Sequence, residues 1–180
     1  MIRKLTYEEL LQRRKTIDEY QATAKHPISI MLNNIRSMYN VGTIFRTCDS
    51  AAVSELILTG YTPYPPRIEI EKTALGAVDT VKWQYEKDIL TAIAKQKADD
   101  KHIVAVELTN TARSYNSLTM SDFPLCLILG NELVGIDDDV LAECDDAIEI
   151  PMYGVKHSLN VGVAAGIAIY EAVKAIDTNR

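Results

Sequence analysis

Residues able to do chemistry gather in three short stretches of this 180-residue chain. The first runs Asn34-Ile35-Arg36-Ser37 and continues as Asn40-Val41-Gly42-Thr43-Ile44-Phe45-Arg46. Arginine keeps its charge at any ordinary pH and carries five N–H donors, so Arg46 could grip a phosphate or steady an oxygen on which negative charge builds. Asn40 stands where a helix opens and suits an N-cap. The second stretch, Gly130-Asn131-Glu132-Leu133-Val134-Gly135, sets one carboxylate between two glycines directly after an apolar run. Glycine there lets backbone approach a ligand closely, and Glu132 suits an acceptor that fixes its own loop. The third is Ile150-Pro151-Met152-Tyr153-Gly154 followed by Ser158-Leu159-Asn160-Val161-Gly162. Its Ser158 reads as the N-cap of a last helix, whose free N–H groups could face an anion.

The elements that must position these stretches follow from periodicity. Thr6 and Glu9 form a capping-box pattern that predicts a helix over Thr6–Tyr20. Pro27–Leu32 suits a buried strand, and Val41, Ile44, Phe45, Cys48 and Ala52 fall on one face of a helix over Asn40–Val53. Further strands are expected at Glu55–Thr59, His102–Glu107, Leu125–Leu129 and Ala147–Ile150. Helices are expected at Ile68–Leu75, Asp88–Asp99 and Leu159–Ile176, with a proline-rich loop at Tyr61–Arg67. Strands alternating with helices give an α/β fold with a mainly parallel sheet and flanking helices. The chain reads as one domain over residues 1–180, with residues 1–25 as a basic helical extension. Gly162, Ala165 and Gly166 make a narrow helix face for close packing, against the sheet or against another subunit.

Composition bounds the partners. A hydrophobic fraction of 47% and a charged fraction of 24% are ordinary for a globular protein. No leader is read at Met1–Leu5, and the longest apolar run, near Val161–Tyr170, is too short to span a bilayer. A cytoplasmic protein without membrane contact is expected. Cys48, Cys126 and Cys144 show no metal-ligand spacing and no disulfide pattern, so no metal is expected. Neither a G-x-G-x-x-G fingerprint nor a phosphate-binding P-loop occurs, which argues against a small oxidoreductase or phosphate-binding hydrolase. The net charge of −6 does not by itself draw a polyanion, but Arg13, Arg14 and Lys15 cluster near the N-terminus while the acids concentrate at Asp137–Asp139 and Glu143–Asp146.

Taken in order, Asn40…Arg46, Gly130…Gly135 and Ile150…Val161 resemble the motifs of the SpoU/TrmH branch of the SPOUT RNA methyltransferases, from Pro27 onward. The resemblance implies a deep C-terminal trefoil knot beginning near Leu125, a homodimer, and S-adenosyl-L-methionine as cofactor. The cofactor would be held mostly by backbone at Leu108, Gly130, Glu132, Ile150, Met152, Ser158 and Leu159. It implies methyl transfer to a ribose 2′-hydroxyl of tRNA or rRNA, with Arg46, Asn40, Ser158 and Asn160 as the catalytic set and Arg46 supplied by the neighbouring subunit. Arg13, Arg14, Arg36, Arg67 and Lys72 are then the candidate RNA contacts. The alternative is an RNA-binding module of the same fold without catalysis.

Overall fold

A computed structural model describes residues 1–177. Seven strands form one sheet: β1 (His26–Asn33), β2 (Val53–Thr59), β3 (Trp83–Glu86), β4 (His102–Val106), β5 (Arg113–Ser114), β6 (Leu125–Leu129) and β7 (Asp146–Glu149). Their order across the sheet is β3-β2-β1-β6-β4-β7-β5, and every ladder between them is parallel. The helices are α1 (Tyr7–Arg13), α2 (Ile17–Ala22), α3 (Met38–Ser50), α4 (Ile68–Ala74), α5 (Ile89–Ala98), α6 (Asp138–Leu141) and α7 (Val161–Asp177).

A parallel sheet must be covered on both faces, and two apolar clusters do this here. Ile28, Ile30 and Leu32 of β1 point to the side of Val41, Ile44 and Phe45 of α3 and of Ala165, Ala168 and Ile169 of α7. Met31 faces the other way, with Ile93 of α5 and Val140 of α6. Among the described residues no helix is long and apolar enough to cross a membrane. Gly42 lets α3 approach α4 closely, because a Cβ there would strike the Ile70 carbonyl and the Thr73 side chain.

Several boundaries differ from the sequence reading, each for a local reason. The single helix expected over Thr6–Tyr20 is two, since Thr16 and Glu19 form a second capping box and Arg14 turns extended. The long helix after β1 starts at Met38, capped by Ser37 rather than Asn40, and ends at Ser50 because Val53 already belongs to β2. Ser158 does not cap the last helix; the Asn160 side chain accepts from the Gly162 N–H at 2.9 Å instead. Strands β3 and β5 and the short α6 were not expected. β3 and β5 pair with one neighbour each at the sheet edges, where burial is too partial to leave a strong apolar pattern.

The three motif stretches follow β1, β6 and β7, so all lie beyond the carboxyl ends of parallel strands. That is where open α/β sheets bind ligands, near the point where connections change direction.

Candidate functional site

The loops after β4, β6 and β7 enclose a cavity of about 300 Å3, within the range of small-molecule sites. Leu108, Gly130, Glu132, Ile150, Met152, Ser158 and Leu159, drawn from three separated stretches, all line it. Glu107, Asn131, Glu149, His157, Val161 and Ala164 line it too and were not singled out from sequence. Its wall holds three carboxylates and no lysine or arginine. Asn131, His157 and Ser158 add polar groups, and the rest of the wall is apolar side chain and glycine, a lining suited to a compact ligand bearing positive charge.

Hydrogen bonds join these loops into one unit. The Glu132 carboxylate accepts the backbone N–H of Arg36 at 2.8 Å and of Ser37 at 3.1 Å, and the Asn40 side-chain amide at 3.0 Å. It therefore sits at the start of α3, where an anion is favoured. The Asn40 oxygen in turn accepts from the Asn160 amide at 3.1 Å, and Asn160 caps α7. A relay of three side chains thus spans all three motifs. Asn131 adds a second tie, donating to the Asn34 carbonyl at 2.7 Å and to the Tyr61 hydroxyl at 2.8 Å. Glu107 accepts from the Ile136 N–H at 3.2 Å and lies against Gly135, whose positive φ and bare Cα leave room for it. No periodicity marks Glu107 or Asn131 as clamps; only the position of Asn131 directly after Gly130 hints at its role.

The remaining expected residues divide. Asn40 and Asn160 meet, and Ser158 stands in the cavity wall two residues earlier. Arg46 does not reach the cavity: it lies exposed about 9 Å further along α3 than Asn40 at helical rise. Its side chain makes no hydrogen bond or ion pair among the described residues, and both side-chain bonds of Asn40 go to Glu132 and Asn160 rather than to Arg46. Arg13, Arg14, Arg36, Arg67 and Lys72 are all exposed, Arg13 and Arg14 at the end of α1, Arg67 at the N-cap of α4 and Lys72 within it, and Arg36 in the loop before α3. The cysteines offer no nucleophile, since burial raises the Cys48 thiol and pushes those of Cys126 and Cys144 up to about 12 and about 11.

Burial pushes the Glu132 carboxyl up, but the N–H groups of Arg36, Asn40 and Ser37 more than offset this and hold it below the usual carboxylate range. A depressed carboxyl stabilises the fold above its unfolded pKa, and that contribution is lost as pH falls through the folded value. Replacement Glu132→Gln should cost about 2 kcal/mol at neutral pH, as expected for hydrogen bonds to a charged acceptor. In denaturation profiles the gap between wild type and variant should close as acid protonates the carboxylate. A gap that stays constant into acid would show that the charge has no role in the clamp.

The comparisons with known proteins agree with this geometry. The model of the SpoU rRNA Methylase family matches residues 27–170. A tRNA (guanosine(18)-2′-O)-methyltransferase of Thermus thermophilus is 30% identical over 160 residues, covering 89% of this chain and 81% of its own. A TrmH/SpoU tRNA-modifying enzyme of A. aeolicus superposes with a TM-score of 0.81 at 27% identity, covering 96% of this chain and 85% of its own. An rRNA methyltransferase of Sinorhizobium meliloti, solved with AdoMet bound, gives a TM-score of 0.78 at 28% identity, covering 86% of this chain and 59% of its own. With the family model spanning most of the chain, the second and third motifs lining one cavity and the first tied to both through Asn40, the chain belongs to the SpoU rRNA Methylase family.

Proposed function

We propose that this protein transfers a methyl group from S-adenosyl-L-methionine to a ribose 2′-hydroxyl of tRNA or rRNA, acting in the cytoplasm as a homodimer. The observation that carries the reading is that seven residues from three separated stretches line one cavity at the carboxyl ends of the strands. The cofactor fits that cavity on charge: its sulfonium and ammonium outweigh its one carboxylate, and the wall offers Glu107, Glu132 and Glu149 with no lysine or arginine. When bound, it supplies an electrophilic methyl group. The chain's own residues hold and orient. Leu108, Ile150, Met152 and Leu159 give apolar surface, and Gly130 and Ser158 bring backbone close.

An alcohol attacks poorly until its proton is drawn off or its developing charge is stabilised. Arginine holds its proton too tightly to be an effective base. Arg46 therefore orients the hydroxyl and its phosphate and stabilises the growing alkoxide, while Ser158 and Asn160 place the adjoining phosphate. Because Arg46 stands away from its own chain's cavity with no partner, it serves the cavity of a second subunit. The stripe of Val163, Gly166 and Tyr170 at i, i+3 and i+7 on α7 is the face offered to that subunit, with Val163 and Tyr170 each 52% exposed and Gly166 half-buried between them.

A trefoil knot is part of the same proposal, within a single domain that carries residues 1–25 as an RNA-binding extension. Sheet order supports it. β6 lies between β1 and β4, and the chain leaving β7 must return over those strand ends to bring Asn160 against Asn40 and α7 against α3. The non-catalytic alternative leaves Arg46 and the Ser158–Asn160 cluster without a task.

Arg46→Ala should lower methyl transfer by about a hundredfold or more, the usual effect of removing a charge-stabilising donor. S-adenosylhomocysteine binding by calorimetry should stay near wild type. Turnover close to wild type in this variant would remove Arg46 from the mechanism. No atom lies within 4 Å of a Cβ placed at Gly166, so Gly166→Arg should leave the circular-dichroism melt intact and convert dimer to monomer in sedimentation. A Gly166→Arg dimer of wild-type affinity would place the subunit contact elsewhere.

A further inference from the structure

We propose that Tyr61, Tyr64 and Tyr85 form a stacking platform for an unpaired base of the RNA, beside the cofactor cavity; this rests on the reading that RNA is the substrate. The rings of Tyr64 and Tyr85 lie 4.4 Å apart between centroids at 35°. They are nonetheless 45% and 38% exposed, and Tyr61 is 62% exposed. The three belong to β3 and to the loop after β2, at the same carboxyl end of the sheet as the cavity.

Their positions are fixed by hydrogen bonds. The Tyr85 hydroxyl donates to the Gly60 carbonyl at 2.6 Å. The Tyr61 N–H donates to the Asn34 side chain at 3.1 Å, and its hydroxyl accepts from Asn131, a residue of the cavity wall. Thr62, fully buried, accepts from the Ile35 N–H at 3.0 Å and donates to the Leu32 carbonyl at 3.2 Å. The loop is thus tied to the first and second motifs, and its prolines at 63, 65 and 66 restrict it further.

Rigid, water-facing aromatic rings are what single-stranded nucleic acid stacks upon, since every base presents a π-face. Charge selects RNA over an apolar partner. Arg36, Arg67 and Lys87, from the loops flanking the tyrosines, are exposed, and their side chains form no ion pair among the described residues, leaving them for phosphate. A base stacked here would hold its strand so that a neighbouring ribose enters the site.

The test is binding of the full-length protein to a short single-stranded RNA of about ten nucleotides, and to a duplex of the same sequence, by fluorescence anisotropy. The Tyr64→Ala/Tyr85→Ala double variant should bind the single strand about tenfold to a hundredfold more weakly and the duplex unchanged. Tyr64→Phe/Tyr85→Phe, which keeps both rings, should retain single-strand affinity. Wild-type single-strand affinity in the alanine variant would overturn the platform, as would equal loss on the duplex. A shift from dimer to monomer in the alanine variant would also overturn it, by showing a subunit contact. Calorimetry with S-adenosylhomocysteine separates this proposal from the enzymatic one. If the cofactor product binds but stacking loss is absent, only the platform fails; if stacking loss occurs without cofactor binding, only the methyltransferase reading fails.

Discussion

Three N–H groups converge on the Glu132 carboxylate, two from the backbone entering α3 and one from the Asn40 side chain. Asn40 passes the connection to Asn160, which caps α7. The loop after β6, the start of α3 and the start of α7 therefore hold a common geometry. Joined by a charged acceptor at a helix N-terminus, the loops after β6 and β7 that line the cavity are held against the start of α3. Charge-assisted bonds of this kind are stronger than neutral ones and directional, which fixes the loops around the cavity.

This division explains why the motifs are so sparing of charge. The cavity is built from glycine, apolar side chains and strand-end backbone, so its fixed acids serve both as loop clamps and as a favourable field for a cationic ligand. The cation proposed for phosphate and alkoxide, Arg46, stands outside on the exposed side of α3. An arginine inside would oppose a sulfonium. In the proposed mechanism Arg46 acts from a neighbouring subunit, which would separate the two charge requirements and make assembly a condition of activity.

Much of this was legible in the sequence. The apolar spacing of Val41, Ile44, Phe45 and Cys48 gave the buried face of α3, and Leu125–Leu129 is β6 to the residue. The second and third motifs located most of the cavity wall. What was misread was local hydrogen bonding. Asn40 and Ser158 both have the chemistry of a helix cap, yet Ser37 and Asn160 take those roles, and sequence does not say which of two nearby polar residues reaches the free N–H groups. The repeated Thr-x-x-Glu at Thr16 did signal the break between α1 and α2, but one continuous apolar pattern obscured it. Asn131 and Glu107 act across 70 and 29 residues of chain respectively, and contacts of that range carry no periodicity to detect.

The central claim is the position of the transferred methyl group. Total RNA incubated with the protein and labelled S-adenosyl-L-methionine can be hydrolysed in alkali, which cleaves next to free 2′-hydroxyls and spares a bond beside a 2′-O-methyl group. The account requires the label to survive in an alkali-stable dinucleotide. Label recovered in single nucleotides, on a base, would contradict it, as would no transfer by a protein that binds S-adenosylhomocysteine.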